Sequence, residues 1–253
     1  MKLWLCYLLF PFPSLLTAQN AGIKVRQVNV SFTYGENTFP KSWREEPINA
    51  RGQEMNPRFI NRSKNVIIKA LSKYPEKLLK SNLKGVYFLK EMMFYDVGYG
   101  GTNSENAVYL TNRGPLMGYT DKYLEQTFHH EFSSILLRNY PAFLDTNEWK
   151  GANVEGFLYN DPESGVGAIR NNKSSQALDT LLCQKGVMTQ YGASSIENDL
   201  NTFAQNLFCP EYNFWNYVDR FPAIKKKVNL LIRFYHKLNP IYTEDYFRKM
   251  DTP

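Results

Sequence analysis

Apolar and polar positions along the 253 residues change period several times, and each change marks an element. Residues 25–34, VRQVNVSFTY, alternate and predict a strand. Residues 35–57 are rich in Pro, Gly, Asn and charge, and predict a long surface excursion. From 60 to 81, Ile60, Val66, Ile67, Ala70, Leu71, Leu78 and Leu79 recur at helical spacing, with Pro75 breaking the run. LKGVYFLKEMMFYD at 83–96 is β-branched and aromatic and predicts a strand, and AVYLTN at 107–112 predicts a second. The turn GYGGTNSEN at 98–106 separates them, so an antiparallel hairpin is expected. Thr120 or Asp121 can cap a helix that runs to Asn139, with Leu124, Phe128, Phe132, Ile135 and Leu136 on its apolar side and Pro141 beyond its end. Residues 145–176 are polar and read mostly as loop. SSIENDLNTFAQNLF at 194–208 reads as a capped helix, and residues 222–238 as another, with Pro222 in its first turn. Strands early and helices late argue an α+β fold in one domain.

The first 18 residues do not fit this pattern. Lys2 is followed by an apolar run that closes on Thr17 and Ala18, which reads as a secretory signal peptide cut before Gln19. It is too short and too Pro-broken to be a good membrane span. Cys6 lacks the apolar stretch and small residue that a lipid-anchored cysteine needs before it. The expectation is an exported protein, periplasmic or released. It would keep two cysteines, Cys183 and Cys209, either as a disulfide or as separate buried thiols. The net charge of +6 is spread along the chain. The one tight basic run, Lys225 to Lys227, reads as a solvated helix face. With no basic patch and no nucleic-acid motif, a nucleic-acid partner is not expected.

Chemistry is concentrated in TFHHEFSSILLR at 127–138. His130 and Glu131 begin the zinc-protease pattern H-E-x-x-H, but the second histidine position holds Ser134. In that pattern two imidazoles one turn apart grip the metal from one helix face, and the glutamate activates the metal-bound water. His129 lies about 100° round the helix from His130 and cannot replace the missing ligand from the same face. The third histidine, His236, is far along the chain. A serine hydroxyl is a poor zinc ligand beside imidazole, thiolate or carboxylate.

AVYLTNRGPLMGYTDKYLEQTFHHEFSSILLRNY at 107–140, followed by VMTQYGASSIENDLNTFAQNLF at 187–208, resembles the exported zinc-binding metallopeptidases of Bacteroidetes-type bacteria. Some of these are described as import-associated zinc metallohydrolase lipoproteins, and they are similar in plan to the lethal-factor type of zincin. The resemblance implies a single zincin-like metallopeptidase domain over residues 19–253, with a small mixed sheet and helices that carry the HE motif. In that family the second motif reads Y-x-S-S-x-x-x-E-D-F-A-E; its tyrosine stabilises the oxyanion and its first glutamate is the third zinc ligand. Here the tyrosine falls on Tyr191, the serines run close to Ser194 and Ser195, the ligand position falls on Asn198, its neighbour on Asp199, and the later acid on Thr202. A one-residue slip would put Glu197 in the ligand place but would break the match at Asp199 and Leu200.

The resemblance therefore implies Glu131 and Tyr191 as catalytic residues, His130 as the one retained metal ligand, zinc as the cofactor, and Ser134 and Asn198 where the other two ligands belong. Two functions follow. One is a non-catalytic binding or accessory protein that takes a peptide or protein in the old cleft, with AVYLTN as an edge strand for backbone addition. The other is a working metallohydrolase with Glu131 as base and Tyr191 on the oxyanion, its metal held by His130 with Glu197 or Asp199 and with His129 or His236. A third reading keeps the α+β fold and no cleft chemistry at all.

Overall fold

The computed structural model describes residues 22–160 and 166–251; the expected signal peptide and Cys6 lie outside them. Seven strands are present among these residues: β1 (Ile23–Val25), β2 (Val28–Ser31), β3 (Arg51–Glu54), β4 (Gly85–Phe94), β5 (Val97–Gly98), β6 (Gly101–Asn103) and β7 (Ala107–Thr111). They form one mixed sheet in the order β1-β2-β4-β7-β6, with β3 and β5 paired to the far end of β4. Ten α-helices accompany it: α1 (Ile60–Ser72), α2 (Glu76–Asn82), α3 (Asp121–Asn139), α4 (Thr146–Lys150), α5 (Val166–Arg170), α6 (Thr180–Lys185), α7 (Ile196–Phe208), α8 (Phe214–Arg220), α9 (Pro222–Leu238) and α10 (Glu244–Arg248). The expected α+β class with a small mixed sheet is what the chain adopts.

The long central strand explains most of the sheet. Side chains alternate across a strand, so Val86 and Phe88 of β4, with Val108 and Leu110 of β7, join the main core, while Leu89, Ala107 and Tyr109 join a second cluster on the other face. Beyond Leu89 the pairing with β3 slips: Gln53 faces Glu91, but Glu54 faces Leu89, leaving Lys90 as the extra residue. This bulge shifts the alternation by one, so Met92 and Phe94 stay on the same face as Leu89. Phe39 and Ala50 complete that cluster, with Trp43 and Ile48 packed against it. The polar stretch 35–57 is thus partly a cover for the sheet, beyond a surface excursion.

Two strand expectations are corrected. Residues 25–34 do not form one strand, because Arg26 and Gln27 take positive φ of 46° and 71° and turn β1 back on β2. β4 and β7 do not form an antiparallel hairpin; they run parallel, Gly85 beside Ala107 through Leu89 beside Thr111. The Gly-rich connection reverses direction twice, laying β5 on β4 and β6 on β7. β7 is consequently interior, and β6 forms the edge on that side.

The helices match the predicted periods. Thr120 caps α3 by accepting from the Tyr123 amide, and Ser195 caps α7 by accepting from the Asn198 amide. α3 buries Phe128, Phe132, Ile135 and Leu136 in the core that also takes Leu200, Phe203, Ala204 and Leu207 of α7. Tyr74 seals the far end, with its ring 4.9 Å from Phe132 and 4.5 Å from Phe208. Cys183 and Cys209 are separate buried thiols. Among the described residues no helix is long and apolar enough to cross a membrane.

Lys227 corrects the solvated reading of the basic run. Lys225 and Lys226 are exposed, but Lys227 falls between Ile224 and Leu231 on the apolar side of α9 and is fully buried. Its Nζ donates to Asp199 at 2.6 Å and Asn153 at 2.5 Å. Trp149 Nε1 (2.9 Å) and the Tyr159 hydroxyl (2.7 Å) also donate to Asp199. Burial drives Asp199 up and Lys227 down, and their mutual attraction opposes both. Lys227→Met leaves a buried carboxylate without its cation, so it should lower stability by about 3–5 kcal/mol. Adding Asp199→Asn should recover most of that loss. Urea unfolding of wild type, single and double variants checks it, and a single variant as stable as wild type would refute the assignment.

Candidate functional site

Glycine builds one wall of the cleft. A Cβ at Gly101 would collide with Thr127 and Glu131, and one at Gly100 with the Tyr123 hydroxyl. Only bare backbone lets the sheet edge come this close to α3. The result is a cleft of about 200 Å³ lined by the 98–101 turn, by α3 from Tyr123 to Glu131, and by Gln176, Tyr191 and Gln205.

His130 and Glu131 both face this cleft. His130 is buried, and its Nδ1 lies 2.9 Å from Gln205 Oε1. Gln205 Nε2 donates onward to Gln176 at 3.1 Å, which fixes the amide orientation. The proton of the neutral ring is therefore assigned to Nδ1, leaving the Nε2 lone pair. Burial pushes His130 down, opposed by Gln205, Glu197 and Asn198. The Tyr191 ring stacks on His130 with centroids 5.8 Å apart. Burial, with Glu131, Tyr99 and Glu197 nearby, pushes the Tyr191 phenol far above its usual range, so it is a neutral donor. Burial also pushes the Glu131 carboxyl up to about 7; Glu197 adds to this, while the Asn103 hydrogen bond and Arg138 oppose it. Asn103 Nδ2 donates to Glu131 Oε2 at 2.8 Å.

The positions that the sequence pattern marked as lost ligands are buried at the α3–α7 contact beside the cleft. Ser134 is buried; its hydroxyl donates to Glu197 Oε1 at 2.7 Å and accepts from Asn201 Nδ2 at 2.6 Å. Asn198 donates to Ser194 Oγ at 2.8 Å and lies near both His130 and Tyr191. His130, Glu131, Ser134, Tyr191 and Asn198 are thus brought together on α3, α7 and the turn before α7. Thr202 instead donates to the Asn198 carbonyl at 2.7 Å, and Asp199 points away to Lys227.

The two spare histidines take no part. His129 is fully buried on the other side of α3, with Nδ1 2.8 Å from the Tyr74 hydroxyl and its ring stacked on Phe208. Burial pushes it down to about 4, against the pull of Glu125. His236 is exposed and lies 3.3 Å from the Tyr242 carbonyl. A site built from His130 with Asp199, His129 or His236 is therefore ruled out by their placement. The three positions where the pattern expects ligands hold one imidazole, one hydroxyl and one amide, of which only His130 lines the cleft, beside Glu131, and the Glu197 carboxylate is engaged by Ser134. This set does not fit zinc, which is held by thiolate, imidazole and carboxylate. Among the described residues no three His, Cys, Asp or Glu side chains form a metal-binding group.

Sequence reasoning missed Gln205, Asn201, Asn103, Tyr99 and Tyr123. The first two had a signal: Asn198, Asn201 and Gln205 recur at three and four residues, one helix face. The others depend on how the Gly-rich turn folds against α3, which no local period encodes.

No family model matches the sequence, and no curated protein does either. In three dimensions the chain is similar to a crystal structure from Bacteroides caccae ATCC 43185, a "putative zinc-binding metallo-peptidase", with a TM-score of 0.57 and 14% identity over 89% of this chain and 84% of that one. The shared property is the fold, which is metallopeptidase-like.

The Glu131 carboxyl gives a pH signature. The unfolded chain releases this proton near 4.5 and the folded chain near 7. Wild type should therefore lose stability relative to Glu131→Gln as pH rises through that interval, with a constant difference above it. Urea midpoints of both proteins across the interval measure this; a difference that does not change with pH would mean Glu131 ionises normally.

Proposed function

We propose that this protein uses a metallopeptidase-like fold to bind an extended peptide or protein segment in the α3–α7 cleft, without zinc catalysis, as an exported binding or accessory protein. The observation that carries the reading is the hydrogen bonding at the two lost ligand positions. The Ser134 hydroxyl donates to Glu197 and accepts from Asn201, and the Asn198 amide donates to Ser194. These groups need no ion to compensate their burial. The cleft runs into a wider groove past Tyr123, Gln126 and Gln176 toward Leu178 and Tyr212, which suits a chain segment more than a compact ligand. The edge available for backbone addition is β6, in place of the AVYLTN strand.

One observation favours a second reading. Glu131, held near pH 7, is suited to exchange protons, and the neutral Tyr191 beside it could donate to an oxyanion. In that reading the cleft hydrolyses its peptide with Glu131 as base.

Calorimetry with zinc on the chain lacking residues 1–18 tests the proposal. Wild type should show no stoichiometric binding at micromolar zinc. Ser134→His with Asn198→Glu should tighten zinc binding by at least about 100-fold, since loss of even an outer-shell partner costs about 10- to 100-fold. Tight wild-type binding abolished by His130→Ala would overturn the proposal. A folded double variant that ignores zinc would overturn the assignment of the two positions. Peptide cleavage by wild type, lost in Glu131→Gln, would establish the hydrolase reading instead.

A further inference from the structure

The cleft beside Glu131 has a charge and size that the peptide-binding reading leaves unexplained. Its volume of about 200 Å³ falls below the range of roughly 300–1,000 Å³ typical of small-molecule sites. That is room for one side chain. In a chain of net charge +6, no lysine or arginine lines this cleft, and its one acidic side chain is Glu131. Its Oε2 accepts from Asn103. Its Oε1 has no hydrogen-bond partner among the described residues. The neighbouring cation, Arg138, is turned instead to Asn103 Oδ1 at 2.8 Å and the Ser104 carbonyl at 2.9 Å.

Two more lining groups have spent their donors elsewhere. Gln126 Nε2 donates to the Cys209 carbonyl and Glu211 Oε1, both at 2.9 Å, which leaves its Oε1 as the free end. The Thr127 hydroxyl donates to the Tyr123 carbonyl at 2.7 Å. Three tyrosines, Tyr99, Tyr123 and Tyr191, supply aromatic surface around these acceptors. Glu131 is half-buried and opens on the cleft with Oε1 unbonded among the described residues, a carboxylate in such a recess is best matched by a cationic donor, and aromatic faces attract cations.

We infer that the cleft takes one cationic side chain of a bound peptide, an ammonium or guanidinium, held against Glu131 Oε1 among Tyr99, Tyr123 and Tyr191. This rests on the peptide-cleft reading and narrows it to lysine- or arginine-bearing segments. An acidic or purely aliphatic side chain leaves Glu131 repelled or unpaired.

Capped tripeptides acetyl-Ala-X-Ala-amide, with X as arginine, lysine, norleucine or glutamate, test the inference by titration calorimetry on the chain lacking residues 1–18. The arginine and lysine peptides should bind at least about tenfold more tightly than norleucine, a difference of about 1.4 kcal/mol. The glutamate peptide should bind weakest. Folded Glu131→Gln should lose most of that preference. Should Glu131→Gln fail to fold, NMR contacts of the arginine peptide with wild type decide: they should fall on the rings of Tyr99, Tyr123 and Tyr191, and contacts elsewhere overturn the site. Equal binding of all four peptides, or a preference retained in Glu131→Gln, overturns the cation inference and leaves the peptide cleft standing. Binding of none of the four by wild type overturns both.

Discussion

Helix α3 meets α7 along two seams, and the rest of the molecule is arranged around that contact. The inner seam is apolar: Phe128, Phe132 and Leu136 share the core with Leu200, Phe203 and Leu207. The outer seam is polar: His130 bonds Gln205, and Ser134 bonds Glu197 and Asn201. Burying aromatic and aliphatic surface supplies the adhesion. The polar seam fixes how the helices are rotated about their own axes, because the His130–Gln205 and Ser134–Glu197–Asn201 bonds form only in this orientation. The sheet lies against one side of the pair, and the Asp199–Lys227 pair ties the 149–159 segment and α9 to the other.

A metal site and a hydrogen-bonded seam solve the same problem. Two imidazoles and a carboxylate aimed at one point present lone pairs that a metal ion can join. Serine and asparagine carry both donor and acceptor and can satisfy each other's neighbours directly. Such residues hold the helix pair together through their own hydrogen bonds. Glu131 lies outside the seam and lines the cleft.

Much of this was legible in the sequence because it is written in short periods. The 3.6-residue repeat of Phe128, Phe132, Ile135 and Leu136 places α3, and the spacing of His130, Glu131 and Ser134 places its cleft side. The same rule works for α7. It fails at Lys227, where charge suggested solvent but the helical position between Ile224 and Leu231 dictated burial, with Asp199 supplied from another helix. It fails again between 97 and 111. There a Gly-rich stretch reads as a hairpin turn, yet it makes two short strands and leaves β4 and β7 parallel. Which strand runs beside which is decided by long-range pairing, and a local pattern does not contain it.

The extra residue Lys90 in β4 has a consequence for the cleft itself. β5 pairs with Met93 and Phe94, past the bulge, and the glycines that follow form the cleft wall. A bulge residue bends the strand and increases its twist where it sits. The shape of the glycine wall over Glu131 thus depends on a bulge in a neighbouring strand, at a residue that does not line the cleft.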